Sequence, residues 1–217
     1  HFASKFHGAA RALSGSVVYV SDELDHHDFE LLKKLVFPNG SILKARCAGG
    51  PTRDYLFIDP VMNGKNLLKI WNLNKFSSMI GAFNYQGARI WPLKEGAENT
   101  LRSTFKPLTI TGYISPVDID SIMDIAGEIW TGDCTIYAFN SGSLSKLPKE
   151  GKIQVLLSTL ECEVFIISPV KVTVYNSHYF APIRLIDMYN SGGAIQGLLC
   201  SQRPSGCKIQ IKTRGCG

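Results

Sequence analysis

The chain has 217 residues, of which 45% are hydrophobic and 10% aromatic, and 23 Lys and Arg against 18 Asp and Glu give a formal net charge of +5. That apolar content can bury a core and excludes wholesale disorder. The cations are scattered singly or as the pair Lys33-Lys34, which excludes the basic stripe of a nucleic-acid-binding face, and no apolar run approaches the ~20 residues that span a membrane.

The chain opens on His1, and Phe2, Phe6, Ala9, Ala10 and Leu13 fall at helical spacing, so it starts inside an amphipathic helix, as a fragment would. Ser14-Gly15-Ser16 breaks that helix. Val17-Val18-Tyr19-Val20 reads as a short strand of the kind buried on both faces of a parallel sheet, with Ser21-Asp22 at its carboxyl end. Asp25 or Asp28 then caps a second helix, with Phe29, Leu32 and Val36 on one face and Leu31 and Leu35 beside them, ending before Pro38-Asn39-Gly40. A lone parallel strand needs neighbours on both sides, and nothing later in the chain supplies them. Residues 1–60 therefore read as the last helix, strand and helix of a larger α/β structure.

Residues 61–217 have a different texture. Apolar runs at 67–71, 79–83, 108–114, 134–139, 153–157 and 161–167 alternate with turn residues, and weaker candidates follow at 171–175, 183–189 and 208–212. Evenly spaced strands without long helices predict an antiparallel β-sandwich. Ser115-Pro116-Val117-Asp118 interrupts the pattern as a capped helical turn stopped by Gly127, and residues 201–217 form a tail containing Gly and Cys. The six cysteines, Cys47, Cys134, Cys162, Cys200, Cys207 and Cys216, make no C-x-x-C pair and read as reduced thiols of a cytoplasmic protein.

The stretch Asn66-Leu67-Leu68-Lys69-Ile70-Trp71-Asn72-Leu73-Asn74-Lys75-Phe76, followed by Gly81-Ala82-Phe83-Asn84-Tyr85-Gln86-Gly87, resembles the signature of the plant raffinose synthase or seed imbibition protein family. Pro51-Thr52-Arg53-Asp54, Trp130-Thr131-Gly132-Asp133-Cys134, Thr159-Leu160-Glu161-Cys162-Glu163-Val164 and Phe180-Ala181-Pro182-Ile183 carry the same resemblance across nearly the whole chain. It implies a (β/α)8 barrel ending near residue 60 and then the sandwich. It also implies an enzyme that moves a galactosyl group from galactinol to sucrose, with retention of configuration and without cofactor or metal. Against the family pattern, Gly50 stands in place of Arg, Ser14 and Ser16 flank Gly15 where Gly-Gly is common, Tyr85 replaces Cys and Arg184 replaces Gly.

Retention needs two carboxylates about 5 to 5.5 Å apart. The resemblance puts them in Lys-Val-Asp and Ser-Asp-Asp motifs on earlier barrel strands. Neither motif occurs here, so the sequence offers no catalytic residue of its own. Four residues are candidates for a place beside the substrate. Ser21 and Asp22 close a barrel strand, where such sites form, and Asp22 either orients sugar-binding groups or caps the next turn. Arg53 and Asp54 either hydrogen-bond sugar hydroxyls or form ion pairs between loops. His26-His27 among Asp25 and Asp28 could suggest a metal, but adjacent histidines diverge, so none is assigned. Trp71, Trp91 and Trp130 serve either as sugar platforms or as core. Two other functions remain open from sequence: an alkaline α-galactosidase of the same family, and a non-catalytic carbohydrate-binding or interaction module.

Overall fold

The computed structural model describes residues 3–20, 22–59, 61, 63–87, 107–172, 179–183, 185, 187–203 and 206–214. The expected first helix, α1, spans Ser4–Ser14 and buries Phe6, Ala9 and Leu13. Gly15 ends it at φ 73°, a left-handed conformation that costs glycine nothing because it lacks a Cβ. The second helix is much shorter than its apolar spacing suggests. It is the single turn α2, Phe29–Leu32, with Asp28 rather than Asp25 as its cap: the Asp28 carboxylate accepts the Leu31 N–H at 3.0 Å. The chain then tightens, and Val36 pairs with Ile42 in an isolated antiparallel bridge, so the predicted continuation to Pro38 does not form.

Residues 17–20 are extended and stand largely exposed, as a strand does whose neighbours the described residues do not supply. They enter no sheet register among the described residues, and Val17 and Tyr19 are 74% and 67% exposed. β-branched residues favour an extended backbone, but a strand is buried only where neighbours cover it. Arg11 holds the segment instead, donating to the Val17 carbonyl at 3.3 Å and to the Tyr19 hydroxyl at 3.0 Å.

Among the described residues, six strands form one antiparallel sheet. In chain order they are β1 (Gly50–Pro51), β2 (Leu68–Leu73), β3 (Ser78–Phe83), β5 (Cys134–Ala138), β6 (Leu144–Leu147) and β8 (Cys162–Pro169). Their order across the sheet is β1-β2-β3-β8-β5-β6. A second, two-stranded sheet pairs β4 (Ile110–Ile114) with β7 (Ile153–Leu157). Strand side chains alternate between faces. One face of the large sheet presents Leu73, Ile80, Ile136, Phe165 and Ile167 to Ile110, Ile114, Val155 and Leu157 of the small sheet, making the sandwich core. The opposite face presents Met79, Phe83, Val164 and Ile166 to Phe6, Ala9 and Leu13 of α1. The architecture is therefore a β-sandwich with a helix on its outer face.

That helix needs space on the sheet, which Gly81 provides. A Cβ there would stand 2.7 Å from Leu13 Cδ2 and 2.5 Å from Phe83 Cε2, so the close approach of α1 requires glycine. The outer layer continues in an aromatic cluster, with the Phe6 ring edge-on to Phe83 at 5.1 Å and to Tyr85 at 4.7 Å. Tyr85, which stands where the family has Cys, is thus a packing residue.

One strand expectation is corrected. Of the run 183–189, the described residues 183, 185 and 187–189 are in no strand: Asp187 takes φ 65°, which breaks the alternation, and Tyr189 donates its N–H to the Lys34 carbonyl. Of 171–175, only β9 (Lys171–Val172) is described, paired with β10 (Tyr179–Phe180). The run at 208–212 extends to β12 (Gly206–Thr213), whose partner β11 (Ile195–Arg203) was not anticipated. The capped turn is present: Pro116–Asp118 is a 3₁₀ turn in which the Asp118 carboxylate accepts the Ser115 N–H at 3.0 Å, and the short helix Met123–Ala126 ends at Gly127.

Candidate functional site

Three buried amides of the 66–87 signature, Asn72, Asn84 and Gln86, make hydrogen bonds mainly to backbone, whereas the buried Asn74 amide and Ser77 hydroxyl have no hydrogen-bond partner among the described residues. Asn72 donates to the carbonyls of Leu13 at 2.7 Å and Cys47 at 2.8 Å, while its oxygen accepts the N–H groups of Leu73 and Cys47. Asn84 reaches the other layer, donating to the carbonyls of Leu108 and Leu157 at 2.8 Å each. Gln86 accepts the Gly64 N–H at 2.8 Å and donates to Asn63 and to the Asn66 carbonyl. Asn72, Asn84 and Gln86 fasten loops to the sandwich, whereas Asn74 and Lys75 line an open cavity of about 470 Å³ together with Lys44, Arg46, Gly193, Ile195 and Gln196.

The charged candidates converge on Lys69. This residue lies on the core-facing side of β2 and is only 7% exposed. Its ammonium meets Asp54 Oδ2 at 2.8 Å, Asp118 Oδ2 at 2.9 Å and the Tyr113 carbonyl at 3.2 Å. A buried ammonium needs such compensation, because charge taken out of water is costly unless paired. Beside this group, Arg53 Nε donates to Asp120 Oδ1 at 2.7 Å. Adjacent Arg53 and Asp54, on the 3₁₀ turn Arg53–Tyr55, thus pair with different partners and tie that turn to residues 115–120.

Two carboxylates gathered on one ammonium lack the chemistry of a catalytic pair. A retaining glycosidase needs one carboxyl that holds a proton near neutral pH. Partial burial tends to raise the pKa of Asp54, but the hydrogen bond and positive charge of Lys69 outweigh it and hold the carboxyl below its ordinary value of 3.8. A carboxylate so held is a poor acid. Glu163 is shifted the other way: burial pushes it up despite N–H donation from Asn140 at 2.8 Å and Val164 at 2.9 Å. The Asn140 bond ties the chain just past β5 to β8, while the Val164 bond is local to β8, so Glu163 acts as an anchor inside the sandwich.

Asp22 remains apart from this network. Its carboxylate is 3.8 Å from His27 Nδ1, and no described contact joins it to Arg53 or Asp54. Ser21 lies outside the described residues, as do Trp91 and Arg184. His26 pairs with Glu23 at 3.3 Å, and among the described residues no three His, Cys, Asp or Glu gather as a metal site. Trp71 and Trp130 pack against the sandwich core, with Trp130 Nε1 donating to the Asp133 carbonyl at 2.7 Å. Sequence reasoning missed Lys69, Asp118, Asp120 and Glu163. The available signal was a single lysine inside the apolar run Leu67-Leu68-Lys69-Ile70-Trp71, at a position whose neighbours two residues away face the core.

Fold and site together define a β-sandwich domain whose buried charges and amides hold loops in place. The chain belongs to the family described as raffinose synthase or seed imbibition protein Sip1, which it matches over residues 1–217. It is 44% identical over 219 residues to a protein of Arabidopsis thaliana named probable galactinol–sucrose galactosyltransferase 6, covering 100% of this chain and 28% of that protein. To the galactinol–sucrose galactosyltransferase of Pisum sativum it is 42% identical, covering 100% of this chain and 27% of the relative. To the stachyose synthase of Pisum sativum it is 36% identical, over 99% of this chain and 25% of the relative. The chain thus spans between a quarter and a third of the length of these relatives. Among the described residues no helix is long and apolar enough to cross a membrane.

Proposed function

We propose that this chain is the C-terminal part of a cytoplasmic raffinose synthase-like enzyme that transfers a galactosyl group from galactinol to sucrose with retention of configuration. In this reading residues 1–60 close a (β/α)8 catalytic barrel, and 61–217 are the sandwich that covers its flank. The observation that carries the proposal is similarity across the whole chain to galactinol–sucrose galactosyltransferases. The structure supports the division of labour. Asp54 and Asp118 are both engaged by Lys69, and Glu163 is enclosed in the sheet, which fits a nucleophile and an acid supplied by other polypeptide. Residues 17–20, extended and in no sheet among the described residues, have the backbone of a strand awaiting neighbours. Ser21 and Asp22 would then stand at the carboxyl end of a barrel strand, beside the substrate, with the barrel's own groups making the sugar contacts. Arg53 and Asp54, paired to the sandwich, would set the barrel and sandwich against each other.

The test is an assay of the full-length protein containing this chain with galactinol and sucrose. The reading expects raffinose and myo-inositol in equal amounts. Free galactose without raffinose would replace it with the hydrolytic function of an alkaline α-galactosidase.

A further inference from the structure

The hairpin of β11 and β12 carries one cysteine on each strand, and the Cys200 and Cys207 sulfurs lie 3.1 Å apart. Cys200 is opposite Ile209, and Cys207 is opposite Gln202, so the two cysteines are diagonal neighbours offset by two positions. An offset of two keeps both side chains on the same face of the ladder. Cys200 is exposed and Cys207 half-buried, so a small reagent can reach the pair. The sheet cysteines are different. Burial pushes the thiols of Cys134 and Cys162 up to about 12, which withholds the reactive thiolate; Cys207 is also shifted up, by its hydrogen bond with Cys200, so Cys200 is the sulfur that attacks first.

We propose that Cys200 and Cys207 form a reversible dithiol–disulfide site, oxidised by low-molecular-weight disulfides and reduced by the corresponding thiols. The Cys200 thiolate attacks one sulfur of the external disulfide, breaking its S–S bond and releasing one thiolate. The Cys207 thiolate then attacks Cys200 Sγ in the mixed disulfide and displaces the second. The two protons lost by the cysteines end on the two released thiols. The cysteines are oxidised by two electrons, and the external disulfide is reduced by the same two. A disulfide bond of about 2.05 Å requires the sulfurs to close by roughly 1 Å, within reach of small side-chain rotations.

The location gives the site a defined effect. β11 and β12 form a sheet of their own, separate from the sandwich. Linking residues 200 and 207 closes only the hairpin tip. Oxidation therefore stiffens this element and leaves the sandwich core unchanged.

The test treats the chain with glutathione disulfide, quenches with iodoacetamide and maps the cysteines by peptide mass spectrometry. The expected product is a Cys200–Cys207 link, lighter by two hydrogen atoms and reversed by dithiothreitol. Because the fold presents the sulfurs to each other, the link should form at least about tenfold faster in the native chain than in concentrated urea. With Cys207→Ser the second step has no nucleophile, and Cys200 should accumulate as the glutathione adduct. A stable adduct at Cys200 in the unaltered chain, or equal rates with and without urea, would overturn the proposal.

Discussion

The side-chain amide of Asn72 donates to the carbonyl of Leu13 at 2.7 Å and so fastens the end of the first helix to the second strand. The same amide donates to the Cys47 carbonyl, so one buried residue holds three segments together. Replacing it with Ala orphans the buried Leu13 carbonyl, a loss of about 1–3 kcal/mol, and removes the partner of the solvent-accessible Cys47 N–H and carbonyl. Asn72→Ala should lower stability by about 1–3 kcal/mol in urea unfolding. Asn72→Asp should also destabilise, because it sets a carboxylate against the two carbonyls.

Gly81 and Leu13 make a coupled pair. Gly81→Ala drives a Cβ to within 2.7 Å of Leu13 Cδ2, and overpacking of this kind costs about 1–3 kcal/mol. Shortening the opposing side chain relieves the clash. The double variant Gly81→Ala with Leu13→Ala should therefore lose less stability than the sum of the single losses, a difference that a double-mutant cycle measures.

The Lys69 network predicts two unequal responses. Asp118 is largely buried, and Asp118→Ala leaves the Lys69 ammonium under-compensated, a loss of about 2–4 kcal/mol. Asp54 is 59% exposed, so solvent screens its contribution to under about 1 kcal/mol. Its folded pKa lies below the ordinary 3.8, so its stabilisation is present above that value and fades as pH falls through the folded value. The stability gap between Asp54→Asn and the unaltered chain should be open at pH 7 and close on acidification.

Glu163 gives the opposite sign. Its folded pKa lies above the ordinary 4.5, so between the two values the folded chain holds a proton that the unfolded chain has lost. Stability on this account falls as pH rises through that interval. Gln keeps an acceptor for the Asn140 and Val164 N–H groups and does not titrate. Glu163→Gln should raise the urea midpoint near pH 7, with the advantage shrinking toward pH 4.5.

The strands at the centre of the sandwich were readable in the sequence because β-branched and aromatic runs such as 79–83 and 161–167 are bounded by turn residues. Leu144–Leu147 was not, because an exposed edge strand with Ser145 and Lys146 carries little apolar signal. The run at 183–189 misled for the converse reason: it is apolar enough for a strand, but among its described residues the left-handed backbone at Asp187 turns the chain. At the candidate site, the loop-bridging alternative for Arg53 and Asp54 was legible in the pair itself. Its partners were not, since Asp118 and Asp120 meet the turn only through packing of the two sheets. Residues 17–20 show the limit of local pattern most clearly, because their burial depends on neighbours that composition cannot supply.

The central claim is that the chemistry of galactosyl transfer resides outside these 217 residues. Incubating the purified chain with galactinol and sucrose, with chromatography for raffinose and myo-inositol, tests it directly. The account predicts no product above the enzyme-free control, alongside turnover by the full-length protein; raffinose formed by the chain alone would contradict it.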